Sequence, residues 1–203
     1  MSEADGVRLQ ASFRRLHERA WQSLEDVREL PPSDAFDGMF RRFRLWDDDG
    51  CFGCSLAPNS LTVFGSQLRD GRPPLVREVV WRSRIDGKRL REMVEQGRQD
   101  LEFPPTLSVR DAEVPTERLY QFLDYGQRLK VPLVWPQTTP SVTTDCSTKG
   151  FEFFSSEYPP AILKLQWSSV TPLEWDPVMD WLRGLRKFLE ESLPGGRRDE
   201  APG

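Results

Sequence analysis

Histidine is almost missing from this chain. It occurs once in 203 residues, at His17, so any mechanism pairing a nucleophile with an imidazole base must run through that residue. Cysteine is scarce as well, with only Cys51, Cys54 and Cys146. An odd count of three does not read as a disulfide framework and points to a reducing, cytoplasmic setting. Only five of the 28 basic residues are lysine, at 88, 130, 149, 164 and 187; the arginine bias fits GC-rich coding and carries no functional weight. No apolar run approaches the roughly 20 residues of a membrane span. The polar, acidic start Met1-Ser2-Glu3-Ala4-Asp5-Gly6 does not resemble a secretion signal, so no membrane partner is expected. Also absent are the P-loop, the G-x-G-x-x-G turn, the G-x-S-x-G elbow and the H-E-x-x-H helix. Acidic residues number 32, but no carboxylate pair stands out for hydrolysis.

What remains is a globular composition at its polar end. Hydrophobic residues make up 37% and charged residues 30%, and seven Trp with twelve Phe supply enough large side chains for a core. The net charge is −4 and the pI about 5.2, which argues against a general nucleic-acid coat.

Four Pro-Pro pairs punctuate the chain, at 31–32, 73–74, 104–105 and 159–160. Each lacks backbone donors and restricts the preceding residue, so each marks an element boundary. Ahead of the first pair, Leu9, Phe13, Leu16, Ala20, Leu24 and Val27 form one stripe at helical spacing. That predicts an amphipathic helix over about residues 7–30, its polar face too mixed in sign for a membrane surface. Then the period changes to two: Arg42 to Leu45 reads as a strand. Asp47-Asp48-Asp49-Gly50 reads as a tight solvated turn, Cys51 to Leu56 as the returning strand, and Leu61 to Phe64 as a third, ended by Gly65. Val76 to Trp81 is strand-like. Asp86 reads as the N-cap of a helix carrying Leu90, Met93, Val94 and Leu101. A short strand at 107–109 and a helix after Pro115, with Leu119, Phe122, Leu123 and Leu129, come next. Residues 131–135 read as extended, and Gln137 to Lys149 as a long polar loop. Phe151 to Phe154 and Ile162 to Trp167 read as strands, the second with Leu163, Leu165 and Trp167 on one face. A final helix starts at Asp176-Pro177, an N-cap followed by proline, with Val178, Leu182, Leu185 and Leu189 as its stripe.

This order predicts an α+β fold: a mainly antiparallel sheet flanked by about four helices. One compact domain over 1–193 is expected, with a split into two lobes near 103–115 open, and a disordered tail at 194–203.

Three functional readings survive. The first is a non-catalytic intracellular protein-binding domain: an adaptor, an inhibitor or an immunity-type protein. Small size, acidic charge and missing catalytic motifs favour it, with another protein as partner and no cofactor. Trp135, Tyr158, Trp167 and Trp175 lie beside predicted loops and are candidate anchors, though core packing is the more ordinary reading of each. The second is a nucleic-acid-associated protein. Residues 69–91 hold eight basic and three acidic residues, and Arg77, Arg82, Arg84, Lys88, Arg89 and Arg91, with Trp81 to stack a base, are its contacts. The third is a zinc-stabilised domain or zinc enzyme. Cys51, Cys54, Cys146 and His17 are the bare minimum for a Cys₃His site. Against it, a strand through Cys51 and Cys54 sends the two thiols to opposite faces. Neither pattern nor spacing makes the Asp run a calcium loop, because its fifth position is Cys51 and its twelfth Pro58. A redox role fails because no helix follows Cys54.

Overall fold

The computed structural model describes residues 3–31, 34–49, 58–66, 71–130, 147–154, 162–168, 171 and 173–195. The apolar stripe of the N-terminal segment folds as helix α1 (Glu3–Glu25), followed by a 3-10 turn at Val27–Glu29. The helix therefore starts earlier and stops sooner than the stripe alone indicates. The structure has six strands, each overlapping a segment read as a strand from sequence: β1 (Met39–Asp49), β2 (Asn59–Ser66), β3 (Leu75–Trp81), β4 (Leu107–Glu113), β5 (Ser147–Phe154) and β6 (Ile162–Ser168). Helix α2 (Ser83–Glu95) joins β3 to β4, α3 (Thr116–Gln127) follows β4, and α4 (Asp176–Ser192) closes the chain. The strands form one antiparallel sheet in the order β4-β3-β2-β1-β5-β6. This is the α+β architecture that the order of predicted helices and strands implies.

Several details differ from the expectation. Asp47, Asp48 and Asp49 are no turn; they continue β1 and pair with Lys149, Thr148 and Ser147 of β5. Two of its carboxylates have partners that a strand can tolerate: Asp47 accepts from Arg186 Nη1 at 2.6 Å and Asp48 sits 2.8 Å from His17 Nε2. Asp86 is not an N-cap but lies within the first turn of α2, fully buried. Asp176 is the first residue of α4 rather than its cap. Gly65 does not stop β2, which runs through it to Ser66. The polar stretch ending at Lys149 gives its last three residues to β5. The strand expected at 51–56, the extended segment at 131–135, the rest of that polar stretch and the tail beyond Gly195 lie outside the described residues.

Because paired residues share a face, the register sorts the core into two layers. On one face Phe43, Leu45, Leu61, Val63, Val76 and Phe151 pack against Val178, Leu182, Leu185, Phe188 and Leu189 of α4, with Leu119 of α3 in the same cluster. On the other, α1 lies over the sheet and packs with α2, through Leu9, Phe13, Leu16, Ala20, Trp81, Leu90 and Met93. A further cluster on that side joins Leu24 and Val27 to Phe36, Met39, Phe64 and Val79.

A polar row crosses the second face, one residue from every strand: Lys164, Glu152, Arg44, Thr62, Arg77 and Asp111, each in register with the next. Buried charges must be paired, and these are. Glu152 is held by Lys164 at 3.1 Å and Arg44 at 3.0 Å. Arg77 grips both oxygens of Asp111 at 2.7 Å. The arginines also reach upward. Arg44 donates to the Leu24 carbonyl, Arg41 to that of Glu25, and Arg77 to those of Val27 and Leu30. The last turn of α1 has no basic residue of its own. Cations favour a helix C-terminus, where carbonyls lack intrahelical partners; here the sheet supplies them. Burial first, and the neighbouring Arg44 charge second, hold the Arg41 guanidinium below the ordinary arginine value.

One row further along, Gly150 of β5 opposes Trp46 of β1. The Trp46 indole lies across the glycine so closely that a Cβ there would fall 2.2 Å from ring carbons. Trp46 is buried, edge-on to Trp21 with centroids 5.1 Å apart, and its Nε1 has no hydrogen-bond partner among the described residues.

Candidate functional site

Helices α3 and α4 run antiparallel, which follows from their contacts. Arg118, near the start of α3, faces Glu191 and the Phe188 ring near the end of α4, whereas Gly126 meets Trp181. The Gly126 position admits no Cβ, since one would lie 2.4 Å from the Trp181 ring. The indole is fixed on both sides: Nε1 donates to the Phe122 carbonyl at 2.9 Å, and Phe151 packs edge-on at 5.4 Å. Between the helices this leaves an open groove of about 700 Å³, lined by Arg118, Gln121, Phe122, Tyr125, Asp180 and Trp181, with Asp176 and Pro177 at one end. Tyr125 stands 56% exposed on it, and Tyr120 is 63% exposed on the same helix. Asp180 is paired with Arg183. Asp176 has no ion pair among the described residues. The groove is thus aromatic along its length and acidic at its α4 end.

A second cavity, of about 340 Å³, opens on the far side of Asp176, between the ends of β1, β5 and β6 and helix α4. Arg186 organises it, donating to Asp47, Asn59 and Glu190. Lys149 and Trp167, opposite each other in register, line its other wall. Lys149 makes no ion pair among the described residues.

The predicted site residues scatter. Trp175 is a core residue beneath α4, 9% exposed. Trp167 is half-buried against the same core. Trp135 and Tyr158 lie outside the described residues. Of the basic set, Arg77 is fully buried and bound to Asp111 and two backbone carbonyls, so its guanidinium cannot meet a phosphate. Arg82 donates to Ser108 Oγ, Arg89 lies over the Phe103 ring, and Lys88 pairs with Glu92. Arg84 and Arg91 are on the exposed side of α2. The chain segment is basic, but only part of it faces outward. Trp81, the proposed stacking ring, is 1% exposed and donates to Asp86.

Cys51, Cys54 and Cys146 lie outside the described residues. His17 is half-buried, 5.6 Å from the Trp81 ring centroid, with Nε2 on Asp48. Facing a carboxylate, Nε2 carries the proton in the neutral ring, which leaves Nδ1 as a lone pair. Among the described residues no group of three His, Cys, Asp or Glu side chains could hold a metal ion. No described helix is long and apolar enough to cross a membrane.

The α3–α4 groove was not singled out by sequence. Phe122 belonged to the predicted apolar stripe, and Tyr125 and Trp181 gave no separate signal. The one available hint was that α3 carries two tyrosines at positions the stripe does not need. No protein-family model, curated protein or solved structure matches this chain.

Proposed function

We propose that this is a non-catalytic protein-binding domain whose partner docks in the groove between α3 and α4. One observation carries the reading: a tyrosine more than half exposed stands over a groove floored by Phe122 and Trp181. Aromatic side chains at a rigid concave surface are the usual anchors of protein interfaces. Asp176, without an ion pair among the described residues at the groove's end, together with the net charge of −4, favours a partner presenting a basic side chain beside an apolar one. Inhibitor and immunity-type roles are the forms of binding that this charge suits best. Affinity purification from the native host should recover one protein in stoichiometric amount, and Tyr125→Ala should lower its affinity by about 2 kcal/mol or more while thermal stability stays within about 0.5 kcal/mol. Failure to recover a partner, or equal recovery by the variant, would sink the reading.

A zinc-stabilised domain is the second reading, and one observation favours it. The His17–Asp48 contact reproduces the arrangement in which a carboxylate orients a metal-ligating imidazole. By chain connectivity Cys51 follows Asp48 by three residues, and Cys146 precedes Ser147, which pairs with Asp49. Elemental analysis of protein purified without chelators should then find one zinc per chain, lost in Cys51→Ser. Metal-free protein of unchanged stability excludes this reading.

A further inference from the structure

We infer that β6 is a self-pairing edge, joining two copies of the chain into one continuous sheet about a two-fold axis normal to it. Strand β6 ends the sheet, and among the described residues only β5 pairs with it. An edge strand presents unpaired N–H and C=O groups and is a template for another strand. What decides the occupant is the side-chain pattern. With β6 laid antiparallel against a second β6 and centred on Leu165, Leu165 meets Leu165, Leu163 meets Trp167 and Lys164 meets Gln166, each pair occurring twice except the central one. The first two pairs lie on the α4 face of the sheet, and both are wholly apolar. Leu163, 54% exposed, and its register neighbour Phe153, 36% exposed, gain cover from the indole of the second copy. On the opposite face no like charges meet. Lys164 already shares Glu152 with Arg44, so this edge holds two cations around one carboxylate, and a neutral amide opposite adds no repulsion. Shifting the centre to Lys164 would set ammonium against ammonium.

The other edge lacks this complementarity. Strand β4 centred on its middle residue would oppose Arg110 to Arg110, and centred one residue later Asp111 to Asp111. Arg110 is also committed to Glu78 and to the Pro194 carbonyl. Centred on Val109, β4 would avoid like charges but set the apolar Leu107 against Asp111 twice, so of the two edges β6 is the better self-complement, as an isologous contact must be.

Sedimentation equilibrium on the full chain tests this directly. The wild type should show a reversible monomer–dimer equilibrium. Gln166 is exposed, so substitution there spares the monomer fold, which circular dichroism will verify. Gln166→Lys puts a like charge opposite Lys164 twice, and Gln166→Glu puts an opposite charge there twice. Directly opposed cross-strand charges shift an equilibrium by up to about fivefold per pair. The dimer constant should therefore weaken up to about 25-fold in the first variant and tighten in the second. A chain that stays monomeric to its solubility limit overturns the inference, as does a dimer whose constant neither substitution moves.

Discussion

Replacing Arg77 with alanine should lower the unfolding free energy by about 3–5 kcal/mol, the cost of breaking a buried ion pair from one side. Urea denaturation followed by tryptophan fluorescence measures it. The reasoning starts from burial: Arg77 is among the largest fully buried side chains in the protein. Its guanidinium satisfies both oxygens of Asp111 and the carbonyls of Val27 and Leu30, and stacks 4.3 Å above the Phe36 ring. Alanine strands all of these partners and leaves a cavity. Lysine should not rescue, because an ammonium cannot fork onto a carboxylate and stack on a ring at once. A loss under about 1 kcal/mol would mean that water replaces the guanidinium freely, contrary to its burial.

The second large effect belongs to Asp86. Its carboxylate is fully buried and accepts three hydrogen bonds, from Trp81 Nε1 at 2.7 Å, Thr106 N at 2.8 Å and Thr106 Oγ1 at 2.6 Å. The first two share Oδ2 and the third uses Oδ1. Asp86→Ala strands an indole N–H and a backbone N–H in the interior, and hydrogen bonds to a charged acceptor contribute about 1.5–3 kcal/mol each. We expect a loss of about 3 kcal/mol or more. Asp86→Asn should cost much less. Its amide oxygen can keep both bonds at the Oδ2 position, and its NH₂ can donate to Thr106 Oγ1 once that hydroxyl turns. Equal losses in the two variants would show that the negative charge, rather than the acceptor geometry, holds β3, α2 and the start of β4 together.

The elements that sequence revealed are those with a strong apolar signal of their own. The stripe from Leu9 to Leu24 predicts α1 because one side of that helix has to be buried, and the β-rich run from Val76 to Trp81 predicts β3, which is buried on both faces. Asp47 and Asp48 misled for the opposite reason. Three consecutive acids read as solvated, and only the distant Arg186 and His17 make them tolerable inside a strand. Arg77 misled in the same manner: a basic residue in a basic stretch looks like surface, yet Asp111 lies 34 positions further on. Asp86 resembled a cap because short polar side chains usually cap helices, whereas its partners Trp81 and Thr106 come from β3 and the approach to β4. The α3–α4 groove depends on how two helices separated by more than 40 residues meet, which no local period encodes.

The arginines beneath α1 bear on how the chain opens. A terminal helix commonly detaches as a unit of its own, at a cost well below that of global unfolding. Here, lifting α1 away would leave Arg41 and Arg44 without the backbone acceptors they now hold, and peeling off the 3-10 turn that follows would do the same to Arg77. Amide protons in the last turns of α1 should accordingly exchange at the rate of the central strands β1 and β3, making the first helix and the sheet one cooperative unit instead of an arm on a body.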